Sequence, residues 1–383
     1  MTWLVTPRVR AWALERGIVD KPGGRRVHAQ PVPRLGGLSV IAGFLVPITL
    51  IALARTGIMH DFLAQPELLI GLVAGGSLVA IVGAIDDIRG LSPWTKLAAQ
   101  AAAGGIAYAF GYRIDAVSVP FLGELSMGLA SPFVTVLWFL AITNAINLID
   151  GLDGLASGIA LFASASNFGL AVLNSSPVVM LLSASLSGAL LGFLRYNWNP
   201  ATIFLGDAGS MFIGFVLAAM SIAGATTKSS TAIAIVAPIV ALGVPITDTL
   251  LAMVRRTVAR QSIFAADRGH IHHRLLDSGL TQRRVVLLLY VSSIVLAAAA
   301  IGVSFGRSWQ SGAALVLAGA VVIALVRLVT RSAPPALEPE ARPSSPSRPA
   351  LRIATGRSPV NTVNKSAASD VAPPAYVARR APD

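Results

Sequence analysis

Residues 68–87 read LLIGLVAGGSLVAIVGAIDD, eighteen consecutive residues without a charge followed by two adjacent aspartates. At about 1.5 Å of rise per residue, a helix needs about 20 apolar residues to cross a hydrocarbon core of roughly 30 Å. The stretch therefore predicts a membrane-spanning helix that ends on an acidic pair. A carboxylate in mid-bilayer costs on the order of 3 kcal/mol or more, so acids are expected at the helix ends, where a role beyond folding is the default reading.

Nine further apolar runs flank it, near Leu35 to Ala54, Trp94 to Tyr112, Met127 to Ile149, Leu155 to Leu173, Pro177 to Leu194, Gly209 to Ala223, Ala232 to Val254, Val285 to Phe305 and Ala313 to Val329. The expected fold class is all-α, a polytopic integral membrane protein of about ten transmembrane helices. Hydrophobic residues fill 54% of the 383 positions and charged ones 13%, too little polar surface to coat a soluble domain of this length. Cysteine is absent, which excludes disulfides, a cysteine nucleophile and thiolate metal ligation. The net charge of +12 does not indicate nucleic acid, because the basic residues lack interleaved aromatics and fall between apolar runs. The lipid bilayer is the partner they fit, and the sequence is compatible with an oligomer.

Ten spans return the chain to its starting side. One set of loops holds only four of the thirty Lys and Arg residues, Arg55, Arg113, Lys228 and Arg307. The opposite set is then cytoplasmic by the positive-inside bias, at an inner or plasma membrane. Residues 1–34 are expected as a cytoplasmic or interfacial segment and 35–330 as the transmembrane domain. Residues 331–383, rich in Pro, Ser and Arg, are expected as a disordered cytoplasmic tail.

Every chemically suggestive motif falls in the cytoplasmic set. Asp86 and Asp87 disfavour each other's ionisation unless a cation intervenes, and Arg89 and Lys96 stand near enough to pair with them or with a phosphate. In NAINLIDGLDGLASG (144–158), Asn144, Asn147, Asp150 and Asp153 recur every third residue, on neighbouring positions of one helix face. Gly151 and Gly154 predict that the helix breaks there and leaves polar groups facing a cavity. A tight turn with an N-cap is the plainer alternative. In NWNPATIFLGDAGSMFIGF (197–215), Asp207 is placed either to N-cap the next helix or to supply a hard oxygen ligand beside a phosphate-favouring helix terminus. In ADRGHIHHRLLDSGL (266–280), His270, His272 and His273 lie beside Arg268 and Arg274. The arginines oppose a second cation, so a pyrophosphate or nucleotide contact fits better than zinc. In DKPGGRRVHAQPVPRLGG (20–37), Pro and Gly prevent a helix, and the basic residues Lys21, Arg25, Arg26, His28 and Arg34 fit a positive-inside topology signal, which is as common at span ends as any special role.

Together these stretches resemble the polyprenyl-phosphate N-acetylhexosamine-1-phosphate transferases. DKPGGRRVH, GAIDD, NAINLIDGLDGL, FLGDAGS, PITD and GHIHHRL occur in that family's order over about residues 20 to 330. The resemblance implies an enzyme that moves an N-acetylhexosamine 1-phosphate from a UDP-sugar donor to a polyprenyl phosphate acceptor and releases UMP. It implies Mg²⁺, with Mn²⁺ as an alternative, held near Asn147 and Asp207. It places Asp86 and Asp87 by the lipid phosphate as the catalytic pair, a nucleoside contact at Asp153 with Asp150 beside it, and Lys96 and the histidine loop among the substrate contacts. GHIHHRL resembles the branch using UDP-N-acetylglucosamine or related sugars, whereas the muramoyl-pentapeptide branch carries a different histidine run.

Two departures from the family pattern stand out. Family members carry a spanning helix ahead of the DKPGGRRVH segment. Here fewer than twenty mixed residues precede it, so either the start is late or an interfacial helix takes its place. The pentapeptide branch also has a Lys soon after the acidic pair, where this chain has Arg89 and Gly90, leaving Lys96 or Arg89 to stand in. Rival readings are a cation-coupled transporter, which needs acids in mid-span, and a scaffold working through its tail. Asp248 is the one deeper acid.

Overall fold

The structure, a computed structural model, describes residues 1–20, 31–53, 66–119, 123–226, 239–260, 269–305 and 308–331. They form α1 (Thr2–Glu15), α2 (Gly36–Leu53), α3 (Pro66–Arg89), α4 (Pro93–Ala109), α5 (Ser131–Ile149), α6 (Leu155–Leu173), α7 (Pro177–Asn197), α8 (Gly206–Thr226), α9 (Gly243–Val258), α10 (Ile271–Asp277), α11 (Gln282–Phe305) and α12 (Ser308–Arg331). A 3-10 turn at Gly128–Ala130 and two antiparallel strand pairs, β1 (Val19–Asp20) with β2 (Val32–Pro33) and β3 (Ala116–Val119) with β4 (Gly123–Ser126), are also among the described residues.

The all-α membrane class stands, with eight helices among the described residues long and apolar enough to cross a bilayer. They are α2, α3, α5, α6, α7, α8, α11 and α12. Two of the ten expected spans are not among them. The run from Trp94 becomes α4, whose 17 residues rise only about 25 Å against a core of roughly 30 Å. Of the run from Ala232, the part before residue 239 lies outside the described residues, and α9 begins at Gly243. The short seventh run gains a turn at each end, so that α8 spans 21 residues.

α8 is the axis of the bundle. α2, α3, α5 and α6 pack around it, and Met211 to Met220 bury hydrophobic side chains on every face, as expected of a helix apolar all round. Its approach to α2 is backbone on backbone, since a Cβ added at Gly37 would stand 2.2 Å from the Gly209 nitrogen. Further along, the rings of Phe139 and Phe215 lie 4.8 Å apart and fill the α5–α8 seam. On the periphery, α12 leaves Val316, Leu317 and Ile323 exposed, the face an apolar helix turns to lipid.

The N-terminal segment is a helix that does not span. α1 lies against α2 and α7, with Thr6 Oγ1 donating to Ser39 Oγ at 3.0 Å and Tyr196 OH to the Trp3 carbonyl at 3.0 Å. Arg10 Nε donates to the Thr202 carbonyl at 3.0 Å, which ties α1 to the loop entering α8.

Candidate active site

The start of α8 is where the acidic residues converge. A helix opens with N–H groups that have no partner inside it. Asp87, in the last turn of α3, supplies the acceptors: Oδ1 takes the Asp207 N–H at 2.9 Å and Oδ2 the Ala208 N–H at 3.1 Å. Gly206 enters the helix at φ +73°, and a Cβ there would stand 2.5 Å from Asp87 Oδ2. The position therefore needs glycine for both its backbone and its space. The N-cap reading of Asp207 is corrected by this geometry, because Asp207 already lies in the helix and the capping carboxylate arrives from α3.

With its backbone held in this way, Asp207 directs its carboxylate at Lys96. The Lys96 ammonium lies 2.7 Å from Asp207 Oδ2 and 3.2 Å from Asp86 Oδ2, joining α4, α8 and α3. Asp86 Oδ1 accepts the Leu91 N–H at 2.6 Å, and Ser92 caps α4 by accepting the Thr95 N–H at 3.1 Å. The turn between α3 and α4 thus brings Lys96 back over the acidic pair. Arg89 sits in the last turn of α3, and it is Lys96 that pairs with the carboxylates.

The asparagine and aspartate series fans out, because α5 ends at Ile149. Asn147 Nδ2 donates to Ser210 Oγ at 2.9 Å, one helical turn along from Asp207, whereas Asn144 Nδ2 pairs away with Gln100 Oε1 at 2.5 Å. Asp153 Oδ2 accepts from Asn199 Nδ2 at 2.9 Å and from the Ala201 N–H at 3.0 Å, holding the loop before α8. Asn197 Oδ1 accepts the Gly154 N–H at 3.1 Å and braces the start of α6. Asp150 faces the cleft. Burial, and then the charges of Asp207, Asp87 and Asp153, push its carboxyl well above the usual carboxylate range.

A cavity of about 730 Å³ opens at this end of the bundle, lined by Asp87, Asp150, Asp153, Asp207, His273 and Arg34 among others. The three histidines divide around it. His273 lines the cavity. His270 pairs through Nδ1 with Asp248 Oδ2 at 2.9 Å, while Asp248 Oδ1 accepts the Ile271 N–H at 2.6 Å. The deep acid is thus part of the seam between α9 and α10. His272 is buried between the other two rings. Arg274 lies in α10, and Arg268 lies outside the described residues.

Among the described residues, no three Asp, Glu or His side chains close into a metal cage. The donor set is open, with the Asp207 carboxylate and, beside it, Asn147, whose amide nitrogen bonds Ser210 and so leaves its oxygen to accept. That set suits Mg²⁺, which takes one or two protein oxygens together with phosphates and waters. A cation, the Lys96 ammonium, already sits against the Asp207 carboxylate.

Several contributors could not be singled out beforehand. Ser210, Gln100 and Asn199 act through partners remote in sequence, and only the density of Asn in NWNP gave a signal.

Residues 69–225 match the model of glycosyl transferase family 4. A Bacillus subtilis protein named probable undecaprenyl-phosphate N-acetylglucosaminyl 1-phosphate transferase is 37% identical over 80% of this chain and 83% of its own length. A Mycolicibacterium smegmatis decaprenyl-phosphate N-acetylglucosaminephosphotransferase is 36% identical over 88% and 89%. The undecaprenyl-phosphate alpha-N-acetylglucosaminyl 1-phosphate transferase of Escherichia coli K12 is 30% identical over 75% and 77%. Similarity at this level, over most of each chain, means that the chain belongs to glycosyl transferase family 4.

Proposed function

We propose that this protein transfers N-acetylglucosamine 1-phosphate from UDP-N-acetylglucosamine to a polyprenyl phosphate, at the cytoplasmic face of the membrane. The observation that carries the reading is the convergence of Asp86, Asp87, Asp207 and Lys96 at the first turn of α8, beside an open cavity.

In the proposed reaction an oxygen of the lipid phosphate attacks the sugar-linked phosphorus in line. The new P–O bond forms as the bond to the UMP oxygen breaks, giving a lipid diphosphosugar. A phosphate monoester with a second pKa of about 6 is largely dianionic at neutral pH, so no base is required to activate it. Asp86 then positions, and Lys96 offers its ammonium to phosphate oxygens once they compete for it. Asp207 and Asn147 would hold Mg²⁺, which when bound neutralises the pyrophosphate and the leaving phosphate. Asp153 orders the loop along the donor side of the cavity, and His273 faces the same space.

The transporter reading loses its footing on one observation: Asp248, the deep acid it needs, has both oxygens bonded within the protein. Incubating pure protein with Mg²⁺, undecaprenyl phosphate and a panel of UDP-sugars tests the proposal. UMP should appear with UDP-N-acetylglucosamine, and turnover of another sugar alone would reassign the donor.

A further inference from the structure

His272 is 1% exposed, and among the described residues neither ring nitrogen has a hydrogen-bond partner. Buried polar groups without partners are rare and call for an explanation. Phe or Leu would fill the same space without leaving two nitrogens bare. The ring is well fixed: it stacks on His270 at 5.7 Å, itself anchored by Asp248, and leans on His273 at 4.4 Å. Its Nε2 faces the turn after α5, where a Cβ added at Gly151 would stand 2.3 Å from it. The residue before Gly151 is Asp150, which is half-buried and lines the cavity. A buried ring with bare nitrogens and a cavity-lining acid thus flank one glycine, in a turn whose far end is pinned by Asn197 at Gly154.

Resting on the transferase reading, we infer that His272 is a positioning residue: when donor fills the cavity, its ring hydrogen-bonds the Asp150 carboxyl and fixes the Asp150–Gly154 turn against the substrate. The histidine loop then acts on the reaction through the turn, and His272 itself does not touch the donor. Glycine at 151 is what lets the ring lie close enough to be shared by a small shift of the turn.

The experiment compares His272→Gln and His272→Phe with the full-length wild type in detergent, using UDP-N-acetylglucosamine and undecaprenyl phosphate. His272→Phe should lower kcat/KM for the donor about tenfold, the scale of one lost hydrogen bond. His272→Gln should recover most of the loss, and Asp150→Asn combined with His272→Phe should add little to the more damaging single change. A His272→Phe enzyme equal to wild type makes the ring a filler, and a loss that adds in full to that of Asp150→Asn makes it act apart from Asp150. Either result overturns the inference. Hydrogen–deuterium exchange on the wild type covers the case in which the variants fail to fold: UDP-N-acetylglucosamine should protect residues 150–154, and no change there also overturns it. Wild-type turnover in the same assay keeps failure of this inference distinct from failure of the transferase reading.

Discussion

Asp87 caps the helix that carries Asp207. Its two carboxylate oxygens hold the backbone N–H groups of Asp207 and Ala208 at 2.9 and 3.1 Å, and the freed Asp207 side chain meets Lys96 at 2.7 Å. One acid of the adjacent pair therefore fixes the helix, while the other shares Lys96 with Asp207.

Asp87→Ala removes the cap, and thermal stability should fall by about 1–2 kcal/mol. Turnover falls with it as Asp207 drifts. Asp87→Asn keeps one acceptor and should lie between. Thermal unfolding in detergent beside UMP release checks this, and lost turnover at unchanged stability would put Asp87 on the reacting atoms instead.

Gly206→Ala and Gly90→Ala form a matched pair. Both glycines have φ near +70°, so each alanine carries the left-handed penalty of about 1–2 kcal/mol. An added Cβ at Gly90 meets nothing within 4 Å, whereas at Gly206 it strikes the Asp87 carboxylate. Gly206→Ala should therefore abolish turnover while Gly90→Ala keeps most of it. Equal activities would contradict the close approach.

Burial pushes the His272 ring down to about 3, although Asp248 pulls the other way. The folded ring thus stays neutral between about pH 6.5 and 3 while the unfolded chain takes up a proton. Stability contributed by the neutral ring is complete above about pH 6.5 and is lost as pH falls, at up to about 1.4 kcal/mol per pH unit. Unfolding midpoints from pH 7 to 5 should fall less steeply in His272→Phe than in wild type, and parallel slopes would contradict a neutral buried ring.

What the sequence revealed followed the range of each signal. Apolar length and loop charge are local, so α2, α3, α5 and α6 fall where the runs from Leu35, Leu68, Met127 and Leu155 place them. The run at Trp94 was harder, because apolar residues continue past the helix end at Ala109 and make a 17-residue helix read as a span. The site residues were legible by type. Their partners were not, since Asp87 reaches α8 across 120 positions and Lys96 reaches Asp207 across 111. The period of three from Asn144 to Asp153 suggested one shared face, but a helix that ends at Ile149 sends its members to Gln100, Ser210 and the Asn199 loop.

Asp207→Asn preserves shape and removes charge. If Asp207 holds Mg²⁺, turnover should drop by at least about two orders of magnitude, the scale of losing one electrostatic stabiliser, with partial recovery in excess Mg²⁺. Lys96 also loses a charged partner, so Lys96→Met should lessen the further damage of Asp207→Asn. Near-normal UMP release by Asp207→Asn at limiting Mg²⁺ would remove the metal assignment.

The central claim is transfer of a sugar together with its phosphate, and the nucleotide left behind reads it directly. Purified protein given UDP-N-acetylglucosamine labelled on the sugar-linked phosphorus, undecaprenyl phosphate and Mg²⁺ should release UMP in step with lipid-bound label, one for one. Release of UDP, with the label remaining on the nucleotide, would contradict the account.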